Sequence, residues 1–154
     1  MTLDLADRIA LADVVHGYAA AVDDRRFDDA AELFTESAEL TLPDPPRLLD
    51  PVIVHRGRGA IRAALGAVAA VTRTEHAIVG EVYRGESADA ATGRVTCVAH
   101  HWSRGDDAVG AGVADVVWHV RYDDGYLRTP SGWRIRARAL TINAIETRPV
   151  RRLR

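Results

Sequence analysis

Arg73-Thr-Glu-His-Ala-Ile-Val-Gly-Glu-Val-Tyr-Arg-Gly85 divides the chain in two. Within it His76, Ile78, Gly80 and Val82 recur at every second position, the spacing of one face of a strand. Downstream, Arg94–Arg104, Val109–Arg128 and Trp133–Ile145 are further strand-length runs rich in Val, Ile, Thr, Trp and Tyr. Gly85-Glu-Ser-Ala-Asp89, Gly105-Asp-Asp107 and Thr129-Pro-Ser-Gly132 supply the turns between them. Upstream the period is that of a helix. Leu5, Ile9, Ala12, Val15, Ala19 and Val22 fall at three- and four-residue steps and predict a helix over Leu5–Val22, with Asp4 as N-cap. After the charged turn Asp23–Arg26 come a second helix over Phe27–Phe34 and short strands Glu39–Leu42 and Val52–His55 around the Pro-rich loop Pro43–Pro51. A third helix is expected from Ala60 to Ala70. Helices first and an antiparallel meander afterwards specify an α+β fold, with three N-terminal helices packed on one face of a highly curved sheet.

The length of 154 residues suits one domain, 1–147, followed by a basic tail, 148–154, in which four of seven residues are Arg. A net charge of −2 offers no global attraction to nucleic acid or to an anionic membrane surface. The single Cys97 leaves no intramolecular disulfide to form, and the acidic start is unlike a secretory leader, so a cytoplasmic protein is expected. No phosphate-binding glycine motif or G-x-S-x-G nucleophile motif occurs.

Three stretches carry a resemblance: Tyr18 and Val22-Asp23-Asp24-Arg25-Arg26 at the end of the first helix, Arg73-Thr-Glu-His76, and Tyr122-Asp-Asp-Gly-Tyr126 leading into Gly132-Trp133-Arg-Ile135. Together they resemble the SnoaL-like branch of the NTF2-like superfamily, and within it the group of scytalone dehydratase, hexachlorocyclohexane dehydrochlorinase and bile-acid 7α-dehydratase. The resemblance implies a cone-shaped cavity protein and a lyase or isomerase of the dehydratase or cyclase type, without cofactor or metal. The substrate would be a small hydrophobic, ring-containing metabolite. It also implies association as a homo-oligomer, dimer or trimer, through the outer sheet face, where strand parity places Val98, His100, Trp102, Val117 and His119. The rival expectation is a non-catalytic binding or assembly module with a plugged cone.

By the same resemblance His76 is the general base and Asp23 the carboxylate that orients it, although Asp24 could be the inward one. Spacing alone favours His76 as a core histidine bonded to backbone, and it is the resemblance that reverses this. Tyr18 and Arg138 would stabilise charge on substrate oxygen, and His101 would protonate a leaving hydroxyl. Tyr18 could instead simply pack between helix and sheet. Adjacent residues on a strand face opposite ways, so His100 and His101 cannot chelate one metal. His101 shares the small apolar face of Val95, Cys97 and Ala99. Arg134, Arg136 and Arg138 share a face by parity, read either as rim at Arg134 turning to pocket at Arg138 or as an exposed stripe. Trp118, Val120, Tyr122, Leu140 and Ile142 are the expected apolar walls.

Overall fold

The computed structural model describes residues 2–104 and 112–154. The expected turn Gly105-Asp-Asp107 and the beginning of the strand predicted from Val109 lie outside the described residues. Helices α1 (Leu5–Asp23), α2 (Phe27–Glu32) and α3 (Arg58–Gly66) pack on a sheet of β1 (Phe34–Asp44), β2 (Leu48–Arg56), β3 (Arg73–Gly85), β4 (Ala90–Arg104), β5 (Val113–Thr129) and β6 (Gly132–Val150). The order across the six-stranded sheet is β2-β1-β6-β5-β4-β3. Only β1 and β6 run parallel among the pairs formed; the meander from β3 to β6 is antiparallel, as its turns required. The fold is the α+β arrangement expected from the order of elements and the cone that the resemblance implied, with a sheet that curves without closing.

Asp4 caps α1 by accepting from the Asp7 amide at 2.8 Å. The buried face of α1 is Leu11, Val14, Val15, Tyr18, Ala21 and Val22, whereas Leu5 and Ile9, which the spacing placed inward, are 74% and 54% exposed. The face turned to the sheet runs instead through Asp7, Leu11, Val14 and Tyr18, with Asp7 accepting from Trp133 Nε1 at 3.1 Å, and Leu5 and Ile9 lie on the far side of the helix. The expected Pro-rich loop is mostly strand. β2 is an edge of the sheet, where Pro51 can sit without breaking a ladder bond. Gly57 precedes α3 with φ of 83°, a left-handed backbone that glycine adopts without strain. The strand over Trp133–Ile145 continues to Val150, which brings Arg148 opposite Asp115.

Three extra residues in two strands bend the meander. Val79 is inserted in β3 opposite Cys97 and Thr96, and Arg136 and Asn143 are inserted in β6 opposite β5. The insertion at Arg136 corrects the expected arginine face. Trp133 and Ile135 point into the core, Arg136 bulges outward, and the alternation restarts so that Arg138, Leu140 and Ile142 point inward again. Arg134 and Arg138 therefore do not share a face. The Arg136 side chain lies across Gly125, where an added Cβ would come within 2.8 Å of its Nε and would push this part-exposed side chain aside.

Candidate active site

The concave face of the sheet and the helices enclose a cavity of about 390 Å³. Its walls include Tyr18, His76, His101, Trp118, Val120, Tyr122 and Leu140, and its remaining lining is apolar apart from Ser103. Ala64, Leu65, Ala67, Val68 and Val71, from α3 and the 3-10 turn after it, form one side. A larger depression of about 590 Å³ on the outer face is lined by Arg84, Arg94, Arg136 and Asp123 among others, contains no histidine and is open to solvent. The inner cavity is where the titratable groups converge on an apolar enclosure, the usual setting of a small-molecule site.

Asp23 is the inward carboxylate and Asp24 is exposed. The Asp23 Oδ1 atom meets His76 Nδ1 at 2.6 Å. Its Oδ2 accepts from the His76 backbone N–H at 2.7 Å, and the Thr74 hydroxyl donates to Oδ1 at 2.9 Å. Burial would raise the Asp23 pKa, but the bonds from the His76 ring and backbone outweigh it and hold the carboxyl below the usual carboxylate range. An ionised Asp23 accepts, so Nδ1 of His76 carries a proton, and in the neutral ring Nε2 keeps its lone pair. Among the described residues Nε2 has no protein partner, and His76 lines the cavity.

His101, not His100, faces the cavity. Its Nδ1 lies 2.9 Å from the Val116 carbonyl, which can only accept, so the neutral ring carries its proton on Nδ1 and offers a bare Nε2. Burial lowers the His101 pKa; the Val116 carbonyl opposes this and neighbouring His76 adds to it. A neutral ring with this tautomer accepts at Nε2, whereas donation to a leaving hydroxyl would use the imidazolium form, which burial disfavours. The imidazole rings of His76 and His101 are 6.2 Å apart, and Trp118 lies 4.4 Å from His101. The lowered pKa has a consequence for stability. The unfolded chain takes up a proton on His101 near the ordinary histidine value of about 6.5, while the folded chain resists it, so stability falls as pH drops through that range. His101→Phe is expected to lose less stability than the wild type between about pH 7.5 and 5, measured as urea midpoints. Equal losses in both proteins would contradict this.

Arg138 is buried but does not line the cavity, which corrects its expected contact with substrate oxygen. Its Nε and Nη2 donate to Asp124 Oδ1 and Oδ2 at 2.8 and 2.7 Å, and both side chains are 0% exposed. The guanidinium lies 4.4 Å from the Tyr18 ring and 4.3 Å from the Tyr122 ring, so it supports the two cavity walls from behind. Tyr126 donates to Asp124 Oδ2 at 2.6 Å. Burial opposes the charge on Arg138, but Asp124 holds its pKa well above the ordinary value. Tyr18 is raised by burial, so its hydroxyl keeps its proton. Tyr122 is pushed up still further by burial, and the neighbouring Cys97 thiol is pushed up to about 11.

Trp118, Val120, Tyr122 and Leu140 line the cavity, whereas Ile142 is buried in the core and does not reach the lining. Sequence reasoning missed Asp124 and Thr74. Parity could have found both: Asp124 alternates with Tyr122 and Tyr126, and Thr74 with His76. On the outer face His100 pairs with Asp115 at 2.7 Å and stacks on Trp102 at 5.3 Å. Val117, expected to be available there, is 0% exposed within the chain. Among the described residues no group of three or more His, Cys, Asp or Glu side chains is placed to hold a metal ion. No helix among them is long and apolar enough to cross a membrane.

Uncharacterized protein Rv2910c of Mycobacterium tuberculosis (strain ATCC 25618 / H37Rv) is 30% identical over 147 residues, covering 90% of this chain and 86% of that protein. Two solved structures share the architecture at lower identity. One, from Novosphingobium aromaticivorans and provisionally assigned as a scytalone dehydratase, superposes with a TM-score of 0.77 at 20% identity, covering 96% of this chain and 91% of the other. The other, hexachlorocyclohexane dehydrochlorinase LinA type 2, gives a TM-score of 0.73 at 18% identity over 97% and 92% of the two chains. The family model of the SnoaL-like domain matches residues 3–139, and the chain belongs to that family.

Proposed function

We propose that the protein is a cofactor-independent lyase or isomerase, of dehydratase or cyclase type, acting on a small, uncharged, ring-containing metabolite. The observation that carries this reading is the His76–Asp23 pair at 2.6 Å beside an apolar cavity of about 390 Å³. An imidazole held by a carboxylate at Nδ1, with a free lone pair at Nε2 facing a water-poor enclosure, is the arrangement a carbon acid needs. His76 Nε2 would take a proton from the carbon next to a carbonyl or phenol, leaving the electron pair on the substrate as an enolate. Tyr18, still protonated and on the cavity wall, is the proposed donor to that oxygen, with Arg138 polarising its ring from behind. In a dehydration the C–O bond to a neighbouring hydroxyl then breaks, a C=C bond forms, and the hydroxyl leaves as water with the proton that His76 had taken. Return of that proton to a different carbon would give an isomer instead. His101 accepts a substrate O–H and keeps the ligand edge in register with His76.

The rival, a binding or assembly module, predicts a plugged cone or a separated Asp23 and His76; the cavity of about 390 Å³ and the 2.6 Å pair support the catalytic reading instead. A mass-spectrometric screen with neutral bicyclic hydroxyketones tests the proposal: loss of water or conversion to an isomer is expected with wild type. Tight binding of such ligands with no conversion of any would favour the rival. We also propose a cytoplasmic setting and association as dimers or trimers through the outer face carrying Val98, Trp102 and His119. Trp102→Asp should then dissociate the assembly, and sedimentation of the wild type at the single-chain mass would contradict it.

A further inference from the structure

Arg25 takes a left-handed backbone, φ 62°, unusual for a residue that is not glycine, immediately after α1 ends. The turn sends its side chain back beneath the helix end, where it is partly buried. Nη1 donates to the Thr74 hydroxyl at 2.7 Å and to the Val22 carbonyl at 3.3 Å, and Nη2 to the Val71 carbonyl at 2.9 Å. The contact with Thr74 has a directional consequence. A threonine hydroxyl has one proton, and a guanidinium can only donate. With Arg25 on its oxygen, Thr74 must direct that proton elsewhere, and Asp23 Oδ1 lies 2.9 Å away. Oδ2 is already held by the His76 backbone N–H. The carboxylate is thereby pinned at both oxygens, with Oδ1 in line for His76 Nδ1. Thr74 is 4% exposed, so water does not substitute for either bond. Val71 also lines the cavity, which ties the same guanidinium to the cavity wall.

We propose that Arg25, through Thr74, is a positioning residue of the His76–Asp23 pair: it fixes the direction of the Thr74 proton, and so keeps Asp23 placed to hold His76 as the Nδ1–H tautomer. This rests on the reading that His76 Nε2 is the working nitrogen. A helix-capping role alone would affect stability and leave the imidazole unchanged.

The test is nitrogen-15 NMR of the His76 ring in the full chain, identified by its loss in His76→Gln. Wild type is expected to show the Nδ1–H tautomer in large excess. Arg25→Gly keeps the left-handed backbone open and removes the side chain with its guanidinium. Thr74→Val keeps the shape and removes the hydroxyl. Each should shift the tautomer ratio toward Nε2–H by about tenfold or more, the worth of a hydrogen bond to a charged group. Thr74→Ser should retain the wild-type ratio, and millimolar guanidinium chloride should restore Arg25→Gly in part. An unchanged ratio in folded Thr74→Val or in folded Arg25→Gly overturns the proposal. A wild-type ring with the proton on Nε2 overturns instead the reading of His76 as the base, so the two failures are distinguishable.

Discussion

Arg138→Met is expected to cost the fold about 3–5 kcal/mol, because it leaves the Asp124 carboxylate buried with its counter-ion gone. The two side chains are 0% exposed and joined by two hydrogen bonds, and no water reaches Asp124 to replace them. Tyr126 alone remains to solvate the charge. Asp124→Ala is expected to be comparably damaging, since Arg138 would then face only the Tyr18 and Tyr122 rings. A native stability of about 5–15 kcal/mol makes either change a large fraction of the whole. Combining Arg138→Met with Asp124→Asn removes both charges and should recover part of the loss, the signature of a coupled pair. Urea unfolding of the two single variants and the double variant measures this; single-variant costs below about 1 kcal/mol would show that the pair is not the keystone its burial implies.

His76→Ala and Asp23→Asn carry the largest expected effect on activity, a fall of about 10²–10⁴-fold with the fold retained. The two fail for different reasons. His76→Ala removes the base. Asp23→Asn keeps the size of the group but can place an amide N–H against Nδ1, which forces the ring proton to Nε2 and leaves no lone pair facing the cavity. The Asn variant should therefore bind ligands as the wild type does while failing to turn them over. A variant of either kind within about tenfold of wild-type turnover would remove His76 from the mechanism.

The change of period at Arg73 made the architecture legible, because side-chain alternation in β3 to β6 is imposed by burial on one face only. The same alternation placed Cys97, Ala99 and His101 together on the inner face, and that is where they lie. It misled where a residue is inserted. Arg136 is an ordinary arginine in the sequence, and only its pairing against Gly125 and Tyr126 reveals the bulge that turns Arg138 inward. Arg138 was thus singled out, but its distance from the cavity was hidden, because Asp124 on the next strand had not been recognised as its partner. In α1 the spacing has the right period on a rotated face, since Leu5 and Ile9 are exposed while Asp7, between them, bonds to Trp133 on β6. Bonds such as Arg25 to Thr74 join residues 49 apart in the chain, and no local pattern marks them.

Hydrogen–deuterium exchange at carbon tests the central claim without knowledge of the natural substrate. A bicyclic ketone with an acidic C–H, such as 2-tetralone, would be incubated in D2O with wild type, His76→Ala and Asp23→Asn, and deuterium uptake followed by mass spectrometry. Proton abstraction by His76 requires uptake above the buffer rate with wild type and its loss by about 10²-fold or more in both variants. Equal uptake with wild type and His76→Ala, or none with a wild type that holds the ketone in the cavity, would contradict His76 as the base.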